Sequence, residues 1–320
     1  MNFPSPARQP NHELKSLRIL RLAVALSAMA LLGLTAIPSR SQTNVKIITW
    51  GENSADWNRM LHVSGIRVGC SDAPISCLRQ VDHLISTDHV SAVFLATLLN
   101  SRSPSDAATY ASQSSSRPGL AEVGFDDFVS QSEKSKLNPV ELSALLVSFA
   151  NNLRSQGSTL KFGVTVYQDQ ISSGELDRLN LDPQVLKSVD YVHLFPHYRK
   201  ENQPTASAVE NAKRVFPNAK VILGSYAYDR RAYLPCSKGA SQHCSEQDEI
   251  KLYEQAFQEG LSLARSGAVV GIEFYPGEFG KEDSWKYWDN PRFCDPGERS
   301  KCIQITRTMR QAIRDTLGAS

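Results

Sequence analysis

Eight short apolar runs recur along the chain: Val45–Trp50, Ile66–Gly69, Val90–Ala96, Glu122–Phe128, Lys161–Tyr167, Tyr191–Phe195, Lys220–Tyr226 and Val269–Tyr275. Each is four to seven residues long and rich in β-branched and aromatic residues, which favours strand over helix. Between them lie segments with helical spacing. Pro139–Leu153 places Leu142, Leu145, Leu146 and Phe149 on one face, and Glu249–Arg265 does the same with Leu252, Tyr253, Ala256, Phe257 and Leu261. Ala206–Val215 and Ile303–Leu317 are further helix candidates, while Ile75–Ile85 is less regular. The serine-rich stretch Ser101–Gly119 reads as a long loop plus a poor helix.

Strands alternating with helices build βαβ units and a parallel sheet. Eight such units, with no glycine fingerprint after the first strand, predict a single (β/α)8 TIM barrel and not an open doubly wound sheet. The second run is the weakest strand, being short and containing Arg67. No repeat of fixed period and no interdomain linker divides the chain, so one barrel domain is expected over residues 45–320.

Ahead of the first run, Lys15, Arg18 and Arg21 precede an apolar stretch, Leu22 to Ile37, followed by the small residues Ser39 and Ser41. Basic flank, apolar core and small-residue exit are the parts of a secretory signal, so residues 1–41 read as a signal peptide. The alternative is an uncleaved N-terminal anchor. The apolar stretch is slightly short of the roughly 20 residues of a membrane span, and no cysteine near the exit offers a site for lipid. A mature chain of about 280 residues is long enough for a sizeable core and matches the size of such barrels. It is expected to be secreted or periplasmic, without stable membrane insertion after signal removal, and monomeric. A formal charge of +2 and the lack of a basic block interleaved with aromatics argue against nucleic acid as a partner.

Six cysteines fall in three close pairs: Cys70 with Cys77, Cys236 with Cys244, and Cys294 with Cys302. In an exported chain an even count points to disulfides. Nearest-neighbour pairing is expected, because each pair sits within one Pro-, Ser- or Gly-rich loop. The rival reading, a metal site, lacks CxxC spacing. All six cysteines follow strand ends, so disulfides would staple βα loops on the rim where barrel active sites form.

Side chains alternate along a strand, and only every other residue points inward. Placing glycines in the crowded interior selects the phase Gly124/Asp126, Gly163/Thr165/Tyr167, Gly224/Tyr226/Tyr228 and Gly271/Glu273/Tyr275. That phase brings Asp126 and Glu273 into one pocket, with Asp127 replacing Asp126 if a bulge shifts the register. Two carboxylates across a small cavity are the equipment of glycoside hydrolysis, one as general acid and the other as nucleophile or base. The structural alternative for either is an ion pair with a nearby Arg or Lys. Tyr167, Tyr226, Tyr228, Asp229 and Tyr275 close strand ends, Trp50 and Glu52 end the first, and Trp285 lies in the loop after the last. Aromatic faces with a few polar groups suit a carbohydrate substrate. His193 and His197 would lie about 13 Å apart along an extended strand, too far to share a metal. His197, nearer the mouth, is the better substrate contact, and His193 reads equally well as a hydrogen-bonded core residue. No metal or other cofactor is expected. There is no GxSxG, HExxH or P-loop motif.

The stretch Lys220-Val-Ile-Leu-Gly-Ser-Tyr-Ala-Tyr-Asp-Arg230 resembles the strand "lvlG-x-x-x-Y-G-R" of the chitinase-like family of TIM-barrel glycoside hydrolases, and the aromatic end of the eighth strand is similar. The resemblance implies a barrel and a carbohydrate substrate. It covers two strands and the general layout. That family's DxxDxDxE signature is absent from Glu122-Val-Gly-Phe-Asp-Asp-Phe128, and Asp229 stands where the family has glycine. The family's catalytic glutamate is therefore not carried over to any residue of this chain. The expectation is an exported glycosidase acting on a polysaccharide or cell-wall glycan through Glu273 with Asp126 or Asp127. Its rivals are a non-catalytic glycan-binding barrel and a metal-dependent hydrolase using His193, His197 and an aspartate.

Overall fold

The computed structural model describes residues 45–51, 63–87, 89–196, 206–226, 257–275, 300 and 311. Eight parallel strands close in sequence order into a barrel: β1 (Lys46–Trp50), β2 (Gly65–Gly69), β3 (Val93–Thr97), β4 (Leu120–Phe125), β5 (Lys161–Tyr167), β6 (Tyr191–Phe195), β7 (Lys220–Tyr226) and β8 (Gly271–Tyr275). Closure is made by β8 pairing with β1, Glu273 opposite Ile48. Helices follow the strands: α1 (Pro74–Ser86), α2 (Pro104–Ser114), α3 (Phe128–Lys134), α4 (Pro139–Leu153), α5 (Gln168–Ser172), α6 (Glu175–Arg178), α7 (Pro183–Ser188) and α8 (Ala206–Val215). Residues 257–265 are also helical. Among the described residues no helix is long and apolar enough to cross a membrane.

Local chemistry explains the best-defined helix. Asn138 caps α4, its side chain accepting from the Val140 and Glu141 amides, while Glu141 reaches back to the Asn138 amide. Pro139 occupies the first turn, where its missing N–H costs nothing. The buried stripe Leu142, Leu146, Phe149 and Leu153 then packs on the outer face of the barrel. There Phe149 meets Phe125 and Phe162, with ring centroids 4.8 Å and 5.8 Å away. The stretch expected to be a loop with a poor helix is instead a regular one. Ser103 and Asp106 form a capping box at α2, and Ala107, Tyr110 and Ala111 bury its inner face. Its serines mask a sound helix because they cap it or bond back to its own carbonyls.

Outward-facing strand residues such as Val68, Leu95, Val123, Val164 and Leu194 form the main core between barrel and helices. The interior is different. Its floor is a small apolar cluster of Ile48, Phe94 and Ile222, and above it lie charged side chains. β4 ends earlier than the apolar run suggested. Asp127 takes a left-handed conformation (φ 46°) and Phe128 opens α3, so the strand's last inward position falls at the turn.

Cys70 and Cys77 are joined by a disulfide. Cys70 follows β2 directly, but Cys77 lies in the first part of α1 and not within a loop, so the bridge ties a strand end to the helix after it. Arg102 reinforces this corner by donating to the Cys70 and Asp72 carbonyls. Cys236, Cys244, Cys294 and Cys302 lie outside the described residues, as do residues 1–41.

Candidate active site

The inward phase of β4 runs Glu122, Gly124, Asp126, and neighbouring strands fall into step with it. Gly124 pairs with Gly163, and Phe94 with Glu122. Thr165 pairs with His193, and Gly224 with Glu273. The glycines are required by what sits beside them. A Cβ on Gly163 would lie 1.9 Å from Glu122 Oε1, and one on Gly224 would lie 2.1 Å from the Phe195 ring.

Four ionisable side chains meet inside: Arg67, Glu122, His193 and Glu273, all fully buried. Arg67 Nη1 donates to Glu273 at 3.3 Å and 3.4 Å, and its Nη2 donates to Thr165 Oγ1 at 2.8 Å. The guanidinium also lies over the half-buried Trp50 ring, 4.7 Å from the centroid, a cation–π contact. His193 Nδ1 hydrogen-bonds Glu273 Oε2, and its Nε2 faces both Glu122 oxygens at 3.0 Å and 3.1 Å. Buried charges require such pairing, since an isolated ion in an apolar interior costs many kcal/mol.

Asp126 belongs to the same constellation. It is half-buried, its amide donates to the Thr97 carbonyl at 2.9 Å, and its carboxyl feels the nearby Thr165 hydroxyl. Thr165 thus stands between the two candidate carboxylates, accepting from Arg67, which grips Glu273, while its hydroxyl acts on Asp126. Asp127 turns elsewhere and accepts from the Tyr167 hydroxyl at the barrel mouth.

The environments of the two carboxylates push them apart. Burial, with Asp127 and Glu273 nearby, raises the Asp126 pKa above the usual aspartate range, although Arg67 and Thr165 oppose this. Burial also works against a charged Glu273, but Arg67 and His193 outweigh it and hold that carboxyl below its usual range. For His193, burial and Arg67 disfavour the charged ring, yet Glu122 and Glu273 raise its pKa above the ordinary histidine value.

Of the residues singled out from the sequence, Glu273, Asp126, Asp127, Tyr167 and Trp50 lie in the barrel interior or at its mouth. Tyr226 and Tyr275 end neighbouring strands in mutual register, their side chains lying outside the described residues. Glu52, His197, Tyr228, Asp229 and Trp285 also lie outside the described residues. Arg67, Glu122 and Thr165 are the functional candidates that sequence reasoning passed over. The signal for Glu122 was present, two residues before Gly124 in the same phase, and Arg67 was a charge inside an apolar run.

No protein-family model matches the chain, and no curated protein matches it. Solved structures do. An exo-β-1,4-mannosidase from Opitutaceae bacterium strain TAV5 aligns with a TM-score of 0.52 at 8% identity, covering 85% of this chain and 60% of its own. A GH18 chitinase from Pseudoalteromonas aurantia aligns at 0.46 and 11% identity over 83% and 99%. An oxaloacetate acetylhydrolase aligns at 0.45 and 10% identity over 88% and 96%. What the likeness to the mannosidase shows is the (β/α)8 fold, a scaffold that hosts many chemistries.

Proposed function

We propose that the protein is an exported glycoside hydrolase acting on a polysaccharide or cell-wall glycan, with Asp126 as general acid and Glu273 as its ionised partner. One observation carries this reading: from opposite walls of the barrel, Glu273 is gripped by Arg67, which also donates to Thr165, while Asp126 feels the charge of Arg67 and the hydroxyl of Thr165, in environments that shift the two proton affinities in opposite directions. Opposed shifts in a carboxylate pair are how one site keeps an acid protonated and its partner charged at a single pH. Asp126, at the strand end, would protonate the departing glycosidic oxygen. Glu273, charged and oriented by Arg67 and His193, would stabilise or attack the developing oxocarbenium carbon. The Trp50 ring, with Tyr167 and Asp127 at the mouth, would stack against and hydrogen-bond the sugar. His197, Tyr226, Tyr228, Asp229, Tyr275, Trp285 and Glu52 remain proposed substrate contacts, and the mature protein is proposed to act as a monomer.

The disulfide Cys70–Cys77 supports an oxidising compartment, secreted or periplasmic. Both ring nitrogens of His193 face carboxylates, which gives the metal-hydrolase reading no free nitrogen on that residue. A second reading draws on the complete burial of Glu273 and its commitment to Arg67 and His193. In it the barrel binds glycans without cleaving them, and the inner charges serve the fold. Screening the mature protein against a glycan panel, with product analysis, separates the two. The hydrolase reading expects new reducing ends, lost in Asp126→Asn and Glu273→Gln. Retained binding with no product from wild type would favour the binding barrel.

A further inference from the structure

His193 stands where neither a ligand nor a substrate is needed to explain it, yet its surroundings demand one protonation state. A neutral imidazole carries one N–H and one lone pair. In this site Nδ1 meets Glu273 Oε2 and Nε2 meets both oxygens of Glu122. With both carboxylates charged, a ring lone pair on either side would face a negative oxygen in a buried site. While both carboxylates are charged, only a ring protonated on both nitrogens satisfies the two contacts at once. Charge balance agrees, since Arg67 and an imidazolium together match Glu122 and Glu273. We infer that Glu122 and His193 are positioning residues: Glu122 holds His193 as an imidazolium, and the imidazolium keeps Glu273 ionised. The inference rests on the proposed reading of Glu273 as the charged carboxylate of a glycosidase.

The other groups around the ring fit this role. From β2, Arg67 repels the imidazolium but also grips Glu273. From β3, Phe94 meets the ring edge to face, 6.3 Å between centroids. The hydroxyl-bearing neighbours are Thr165, paired in register on β5, and Tyr191, two residues earlier on β6. On the β7 side the register partner is the apolar Ile222. The carboxylates of β4 and β8 are thus the groups that favour the charged ring. Gly124 and Gly163 leave the space Glu122 needs, so the barrel wall is shaped around this buried carboxylate. Without Glu122 the ring faces burial and Arg67 with one carboxylate fewer. Without the ring's charge, Glu273 loses one of its two cations.

The test is nuclear magnetic resonance of the full mature chain labelled with 15N and 13C. In wild type at pH 7 both His193 ring nitrogens should be protonated. In Glu122→Gln the ring should titrate at a pH lower by about one unit or more. The Glu273 carboxyl signal, identified by its loss in Glu273→Gln, should protonate about one unit or more higher in His193→Gln than in wild type. The acid limb of kcat/KM on a cleaved glycan should move up by the same amount, a displacement that a purely structural role would not produce. A wild-type ring that is neutral at pH 7, with the proton on Glu122 instead, overturns the inference, and so does a Glu273 signal unmoved by His193→Gln. The wild-type spectrum needs neither a folded variant nor turnover. Failure to cleave any glycan would therefore remove the proposed function and still leave the protonation of His193 decided.

Discussion

Replacing Gly163 by alanine would insert one methyl group into the most constrained spot of the barrel. Its Cβ would lie 1.9 Å from Glu122 Oε1 and 2.3 Å from the Glu122 carboxyl carbon, well inside van der Waals contact. The carboxylate must therefore leave, yet the wall beside it has no room: a Cβ on Gly124 would lie 2.4 Å from the Gly163 carbonyl oxygen. Two costs combine. Overpacking a tight interior costs about 1–3 kcal/mol, and stripping a buried charge of its partner costs about 3–5 kcal/mol. Relaxation recovers part of each. What remains, about 3–5 kcal/mol, is a large share of the roughly 5–15 kcal/mol typical of a folded domain. Gly260→Ala is the control. It is helical, a Cβ there would make only ordinary contact with Ile272 at 3.4 Å, and alanine is the better helix former by roughly 0.8–1 kcal/mol. Urea unfolding followed by circular dichroism should show Gly163→Ala strongly destabilised and Gly260→Ala unchanged or slightly stabilised. A Gly163→Ala protein within about 1 kcal/mol of wild type, the least that overpacking alone should cost, would refute the placement of Glu122 against His193.

Stability should also depend on pH with a definite sign. His193 has a raised pKa, so its contribution is complete below the ordinary histidine value, about 6.5, and fades as pH rises through the folded value. Glu273 has a lowered pKa, so its contribution is complete above the ordinary glutamate value, about 4.3, and fades as pH falls through the folded one. Asp126, raised, favours the acid side as His193 does. Thermal melts should therefore be highest between about pH 4.3 and 6.5 and decline toward pH 9, and His193→Gln should flatten the alkaline decline. A wild-type Tm that does not change from pH 6 to 9 would contradict this. Reducing the Cys70–Cys77 bridge, which spans seven residues, should lower stability by about 2 kcal/mol through loop-closure entropy, read by melting Cys70→Ser/Cys77→Ser against wild type. Arg67→Met should lose about 3–5 kcal/mol, because it leaves Glu273 with one cation instead of two, measured by the same unfolding assay.

The barrel was legible in the sequence because two kinds of segment alternate along it. Short apolar runs, buried on both faces as parallel strands, alternate with helical runs such as Leu142, Leu146 and Phe149 that bury one face, and eight alternations leave closure as the consistent solution. Boundaries failed where a polar residue does local work. Ser103 and Asp106 cap α2 within a stretch whose composition suggests a loop, and Asp127 ends β4 through a left-handed turn that no apolar pattern announces. The site was legible only in part. Glycine phasing pointed inward at Asp126 and Glu273, since a glycine marks where a large neighbour needs space. It did not reveal that the neighbour was Glu122, because Gly163 yields to a side chain on another strand. Arg67 looked like a flaw in β2 for the same reason. A buried charge makes sense only once its partners, 206 residues away for Glu273 and 98 for Thr165, are seen across the barrel.

The division of labour between Asp126 and Glu273 stands or falls on leaving-group dependence. An aryl glycoside with a strongly acidic phenol departs without help from a general acid, whereas a sugar leaving group needs the proton. Asp126→Asn should lose about 10²–10⁴-fold on a natural glycan and much less on the activated aryl glycoside. Glu273→Gln should lose activity on both. Equal losses on the two substrates in Asp126→Asn, or an active Glu273→Gln, would contradict it.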